Sequence, residues 1–334
     1  MTTHWAIRAS ITAWMLLASA ARAEVKEVTI AQLYGIAYLP LMIMEDGKLL
    51  EKHARVAGLG DLKVSWRKFS GTNVANDALL SGRLHFASGG VPGFATLWAS
   101  TRGTLDARAV GAMCSMPLYL NTRNPSLKTI EDLSGRDRIA LPAVKLSAQS
   151  IVLQMAAEQA FGSGKQYRLD PLTVSMSHPD AMAAMLSGTS EVNSHFASPP
   201  YQYEELRRPG IHTILSSYEV LGGPSIFTLV YSTGKFRREN PRVFDAFVGA
   251  FEEAMELIGK DKRAAAEIYV RLSKENESAE AILAMLADPS IEYGMTPKNM
   301  MKQVDFMYRI GSIKVRPESW KDLFFPSAHE LPGS

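Results

Sequence analysis

The chain has 334 residues, 46% of them hydrophobic and 21% charged, and its 36 lysines and arginines nearly balance its 34 aspartates and glutamates. That balance, without clustered basic runs, excludes the concentrated positive surface that nucleic acid or an anionic membrane requires. A single cysteine excludes an internal disulfide and a zinc cluster of the CxxC type.

Residues 1–23 begin with Arg8 as the first charge, pass through the apolar run Ile11–Ala18 and end in Ala21-Arg22-Ala23. A positive start, a short apolar middle and an A-x-A end predict a secretory signal cut before Glu24. The run is only about half of the ~20 residues that a membrane span needs. Without Arg8 and Arg22 the product has 36 − 2 = 34 positive against 34 negative side chains. A neutral exported protein without a disulfide fits a bacterial periplasm.

Beyond Glu24, short apolar runs alternate with helical stretches, which predicts an α/β fold with largely parallel strands. The strands expected are Val28–Gln32, Leu62–Phe69, Leu84–Ala87, Ala107–Met113, Leu118–Thr122, Arg138–Leu141, Leu172–Ser175, Val192–His195, Ile211–Leu215 and Ile226–Tyr231. Ser147 is placed to cap one helix, and Ser177-His178-Pro179-Asp180 opens another that ends at Gly188. Asn240-Pro241 supplies a cap and a first-turn proline, after which Phe244, Phe247, Val248, Phe251, Met255 and Ile258 recur at helical spacing. Past residue 235 the chain reads as almost wholly helical, with further helices over Glu277–Ala287 and Pro297–Ile310.

An ordered set of motifs carries a resemblance. These are Tyr38-Leu39-Pro40-Leu41-Met42 with Asp46-Gly47-Lys48-Leu49-Leu50-Glu51-Lys52-His53; Ser70-Gly71 with Asn76, Ala78-Leu79, Ser81-Gly82 and Phe86-Ala87; Ile130-Glu131-Asp132-Leu133-Ser134-Gly135 with Ile139-Ala140-Leu141-Pro142; and Asp180 through Gly188. Together they resemble the substrate-binding proteins of ABC importers in the nitrate/sulfonate/taurine class. Two departures stand out: His85 and Asn193 occupy places where the family usually carries an acidic residue. The resemblance implies a two-lobed, type II periplasmic-binding-protein fold with two crossover strands and the helical C-terminal segment packed on lobe 1. Lobe 1 would take residues 24–114 plus 222–334, and lobe 2 residues 115–221. Cys114 would then lie at the hinge strand as a small buried hydrophobe.

In doubly wound sheets, ligands lie beyond the carboxyl ends of strands, where loops lead into helix starts. This rule nominates Tyr34 and Tyr38 after the first strand, Ser70, Gly71 and Thr72 after the second, and Gly90 after the third. From the second half it nominates Ser147, Ala148, Gln149, His195 and Phe196, and Gly223 stands before the second crossover. Free N–H groups at helix starts can hold an oxyanion without arginine, although Thr72 and Ser147 would serve equally well as plain helix caps. Tyr34, Tyr38 and Phe196 can wall an apolar tail or simply fill a core. His195 can donate to a ligand oxygen or be structural. Gly90 and Gly223 allow close backbone approach or turn duty.

The chain lacks a GxxxxGK, an early GxGxxG, an HExxH and a GxSxG motif, which disfavours a nucleotide-using or hydrolytic enzyme. The expectation is therefore a non-enzymatic, monomeric periplasmic receptor with no cofactor and no metal. It would hand a small organic oxyanion, sulfonate-like or carboxylate, to ABC permease subunits in the inner membrane. A pyrimidine-precursor receptor and an enzyme on the same scaffold are the alternatives.

Overall fold

The computed structural model describes residues 23–334. The expected signal segment, residues 1–23, lies outside them except for Ala23. Eleven strands are formed among the described residues: β1 Glu27–Gln32, β2 Lys63–Lys68, β3 Ala87–Gly90, β4 Ala107–Ser115, β5 Tyr119–Thr122, β6 Ile139–Leu141, β7 Thr173–Ser175, β8 Ser194–Phe196, β9 His212–Ser216, β10 Ile226–Thr233 and β11 Glu292–Tyr293. Short runs rich in apolar residues, such as Val28–Ala31, where Thr29 alone is polar, mark strands covered on both faces. Accordingly β1 is buried from Val28 onward, and all eight residues of β10 are buried.

The strands form two layers with the same internal order. In the first, β2 pairs parallel with β1, and a parallel bridge from Ile30 to Phe86 ties β1 to the segment leading into β3. The layer continues β3-β10-β4-β11, with β10 antiparallel to both of its neighbours. The second reads β7-β6-β8-β5-β9, with β5 antiparallel to β8 and β9. In each layer the strand that follows a crossing is inserted between that layer's third and fourth strands. Where the chain enters and leaves the second layer, Leu118 and Ser217 are bonded to each other: Leu118 N–H donates to Ser217 Oγ and Ser217 N–H donates to Leu118 O, both at 2.9 Å.

Two strand expectations need correction. The run Leu84–Ala87 holds only a bridge, and the strand lies at Ala87–Gly90 instead. Ser88-Gly89-Gly90 looks like a loop by propensity, yet it pairs with Val230, Leu229 and Thr228 of β10. The second is β11, an unexpected two-residue edge on β4 within a tail that is otherwise largely helical, as expected.

The helix Pro241–Lys260 buries Phe244, Phe247 and Phe251 against the first layer, with Phe247 stacked on Phe86 at 3.7 Å between ring centroids. Its N-terminus is satisfied differently from expectation. Asn240 accepts from Val25 N–H, and the Glu24 carboxylate accepts from the N–H groups of Arg242 and Val243 at 3.1 and 2.8 Å. An anion at a helix N-terminus is favourable for the same reason that a capping side chain is. We expect Glu24→Ala to lower stability by about 1 kcal/mol and Phe247→Ala by about 3–5 kcal/mol. Urea unfolding of the chain beginning at Glu24 measures both, and equal losses would contradict this account.

Candidate functional site

The two layers face each other across a closed interface. Gly35, at φ +100°, comes so near the other half that a Cβ there would lie 2.8 Å from Pro199 O, and Ile36 N–H donates to the same oxygen at 3.2 Å. At Gly71 a Cβ would lie 3.0 Å from Pro142 O. Within this interface is a cavity of about 30 Å³, lined by Leu33, Tyr34, Tyr38, Ser70, Thr72, Gly90, Pro142, Ser147, Ala148, Gln149, His178 and Phe227. That space holds about one or two waters.

Eight of the nominated residues meet at this cavity: Tyr34, Tyr38, Ser70, Thr72, Gly90, Ser147, Ala148 and Gln149. They arrive there because two helices start at it from opposite sides. Thr72 begins the helix Thr72–Leu80, and Ser147 caps Ala148–Phe161 by accepting from Ser150 N–H at 3.2 Å. The first N–H groups of a helix have no acceptor within it, so both helices turn donors and partial positive charge toward the cavity. Thr72 sits in a slot made by two glycines, where a Cβ on Gly89 or Gly93 would come within 2.4 or 2.5 Å of its Cγ2. Burial pushes the Tyr38 phenol well above its ordinary range, so it stays a neutral hydroxyl.

Four nominated residues do not reach the cavity. Gly71 sits between two lining residues but faces Pro142 O. Phe196 is fully buried and belongs to the core. Gly223, at φ +132°, closes the turn after the helix Ser217–Leu221, donating its N–H to Tyr218 O at 2.8 Å. His195, also fully buried, stands one residue behind the wall. Cys114 is buried too, its Sγ 3.2 Å from Thr228 Oγ1, and burial pushes its thiol up to about 12.

Leu33, Pro142, His178 and Phe227 line the cavity without having been nominated. His178 was within reach of the positional rule, because it opens the helix His178–Ser187 directly beyond β7. Behind it runs a buried hydrogen-bonded series. His178 Nδ1 is 2.8 Å from His195 Nε2, His195 Nδ1 is 2.5 Å from Glu205 Oε1, and Glu205 Oε2 accepts from Asn121 Nδ2 at 2.9 Å. On its cavity side His178 Nε2 is 3.1 Å from Ser198 Oγ and 3.3 Å from Gln149 Nε2. The Tyr201 ring stacks on His178, and its hydroxyl donates to Glu275 on the first layer's side.

Burial holds the His178 imidazole well below its ordinary value of 6.5. A lowered folded pKa means that the unfolded chain binds more protons below about pH 6.5, so stability falls as pH drops through that range. We expect His178→Gln to remove part of this acid loss. Urea midpoints of both proteins between pH 7 and 5 measure it, and parallel profiles would refute the assignment.

No protein-family model matches the chain, and no curated protein matches it in sequence. Solved structures do. The alkanesulfonate-binding protein SsuA from Xanthomonas axonopodis pv. citri, bound to MOPS, is 18% identical with a TM-score of 0.65, covering 89% of this chain and 96% of its own. The periplasmic aliphatic sulphonate binding protein SsuA from Escherichia coli is 18% identical with a TM-score of 0.65, covering 90% and 92%. The periplasmic nitrate-binding protein NrtA from Synechocystis PCC 6803 is 14% identical with a TM-score of 0.67, covering 90% and 84%. Two similarly wound layers joined by paired crossings, together with this likeness over most of the chain, establish the two-lobed periplasmic-binding-protein fold.

Proposed function

We propose that the chain is an exported solute receptor whose lobes, residues 24–114 plus 222–334 and residues 115–221, close on a small organic oxyanion and present the closed form to an ABC permease. The observation that carries this reading is the cavity lined by helix starts from both sides. An anion held there would be met by main-chain N–H groups and by the hydroxyls of Ser70, Thr72 and Ser147. These donors carry no full charge that would have to be stripped of water. The rings of Tyr34, Tyr38 and Phe227, with Leu33, offer an apolar wall for a sulfonate's or carboxylate's organic part. The names of the neighbours, receptors for alkanesulfonate and nitrate, support the same class.

A cavity of about 30 Å³ is too small for such a ligand, so uptake requires the lobes to part. The short crossings, residues 116–118 and 222–225, are where rotation would be absorbed. Contacts to both lobes then favour the shut state by their differential affinity. Export through the signal segment, a periplasmic location and a monomeric, non-catalytic role belong to this reading.

Thermal unfolding of the chain from Glu24 with methanesulfonate, taurine, benzoate, nitrate and cytosine tests it. At least one organic anion should raise the melting temperature, and Ser147→Ala or Thr72→Val should weaken that ligand about tenfold, the loss of one charge-assisted hydrogen bond. A rise with cytosine alone would replace the anion by a neutral pyrimidine. Turnover of any panel member would replace the receptor by an enzyme.

A further inference from the structure

With Glu205 ionised and His195 neutral, the buried series behind the cavity has one hydrogen arrangement. The Glu205 carboxylate accepts, so the hydrogen of its 2.5 Å bond sits on His195 Nδ1. A neutral His195 then has a bare Nε2, and the hydrogen of the 2.8 Å contact belongs to His178 Nδ1. A neutral His178 is left with a bare Nε2, accepting from the Gln149 amide and the Ser198 hydroxyl. In this state the series carries one negative charge, on a Glu205 that is 0% exposed, and it shows a lone pair to the cavity.

A lone pair repels an oxyanion. One added proton on His178 Nε2 reverses this: the nitrogen becomes a donor, and the series becomes neutral overall. The change needs only that Ser198 rotate its hydroxyl and Gln149 turn its amide over. We propose that an anionic ligand binds this cavity with uptake of one proton by the Glu205–His195–His178 series, which switches His178 Nε2 from acceptor to donor.

The proposal rests on the solute-receptor reading and adds to it that His178 is the group that selects for charge. His195 and Glu205 act through it as positioning residues. The titratable and charged groups facing the series are few. From the helix Tyr201–Leu206 come Glu205 and Tyr201, whose hydroxyl donates to Glu275 beyond. On the helix of His178 itself is Asp180, bonded to Ser177 Oγ at 2.5 Å. Gln149 and Asn121, the other facing side chains, do not titrate. Burial keeps the free His178 neutral at pH 7, so the incoming anion has a proton site to fill.

Two measurements on the full chain from Glu24 decide the matter. Nitrogen-15 spectra of histidine-labelled, ligand-free protein at pH 7 should show His178 protonated at Nδ1 and bare at Nε2. An Nε2–H tautomer or a doubly protonated ring overturns the proposal. Calorimetric titration with methanesulfonate, taurine and benzoate in buffers of different ionisation enthalpy should give an uptake of about one proton per anion bound. Affinity should weaken as pH rises, by up to about tenfold per pH unit. Glu205→Gln should abolish the uptake; if that variant does not fold, the buffer dependence of the native protein alone decides. Binding without proton uptake overturns this proposal and leaves the receptor reading intact, whereas failure of all three anions to bind overturns both.

Discussion

The insertion of β10 between β3 and β4 is the constraint on which the other features depend. β10 is buried along its whole length and hydrogen-bonded on both edges, yet the chain reaches it only after building the entire second layer. The first layer therefore cannot be completed without the excursion through residues 119–216, whereas β5 to β9 complete the second layer within that one stretch. Leu118 and Ser217, bonded to each other where the chain enters and leaves the second layer, fix the spacing of those two points.

With the lobes so held, the helix starts at Thr72 and Ser147 face one another, and the glycines opposite Thr72 become intelligible. Gly89 lies in a strand where a side chain would occupy the space of Thr72, so the residue least suited to a strand by itself is the one the site requires. Around the rim the lobes are bridged by Arg207–Glu277 at 2.6 Å and by Arg309 with Glu158, and Tyr167 donates to Ile310 O at 3.1 Å. The arginines are half exposed, whereas Glu277 is buried.

Much of this was legible residue by residue. Val28–Gln32 and Ile226–Tyr231 read as strands from their short apolar-rich runs, and Ser147 and Ser177 read as caps; both do cap. The positional rule about strand ends located most of the cavity wall, because loops at that edge of a parallel sheet converge by geometry. It missed His178, which looked like an ordinary second residue after a cap, and it gave His195 the place that His178 takes. A histidine in the middle of a three-residue strand does not reveal in sequence that Glu205 and a second histidine complete it. Asn240 also looked like a cap; the groups that intervene, Val25 and Glu24, lie more than two hundred residues away.

Local chemistry alone determined the order of helices and strands, the caps, the lone inert thiol and most of the loops that meet at the cavity, since each depends on neighbours within a turn or two. The folded chain decided the register of Ser88-Gly89-Gly90 against β10, the Glu24 anchor of the Pro241–Lys260 helix, and the pairing of His178 with His195 and Glu205. Those depend on which strand enters between which two others. Such pairings are specified by burial shared among distant segments, and no single segment carries that information.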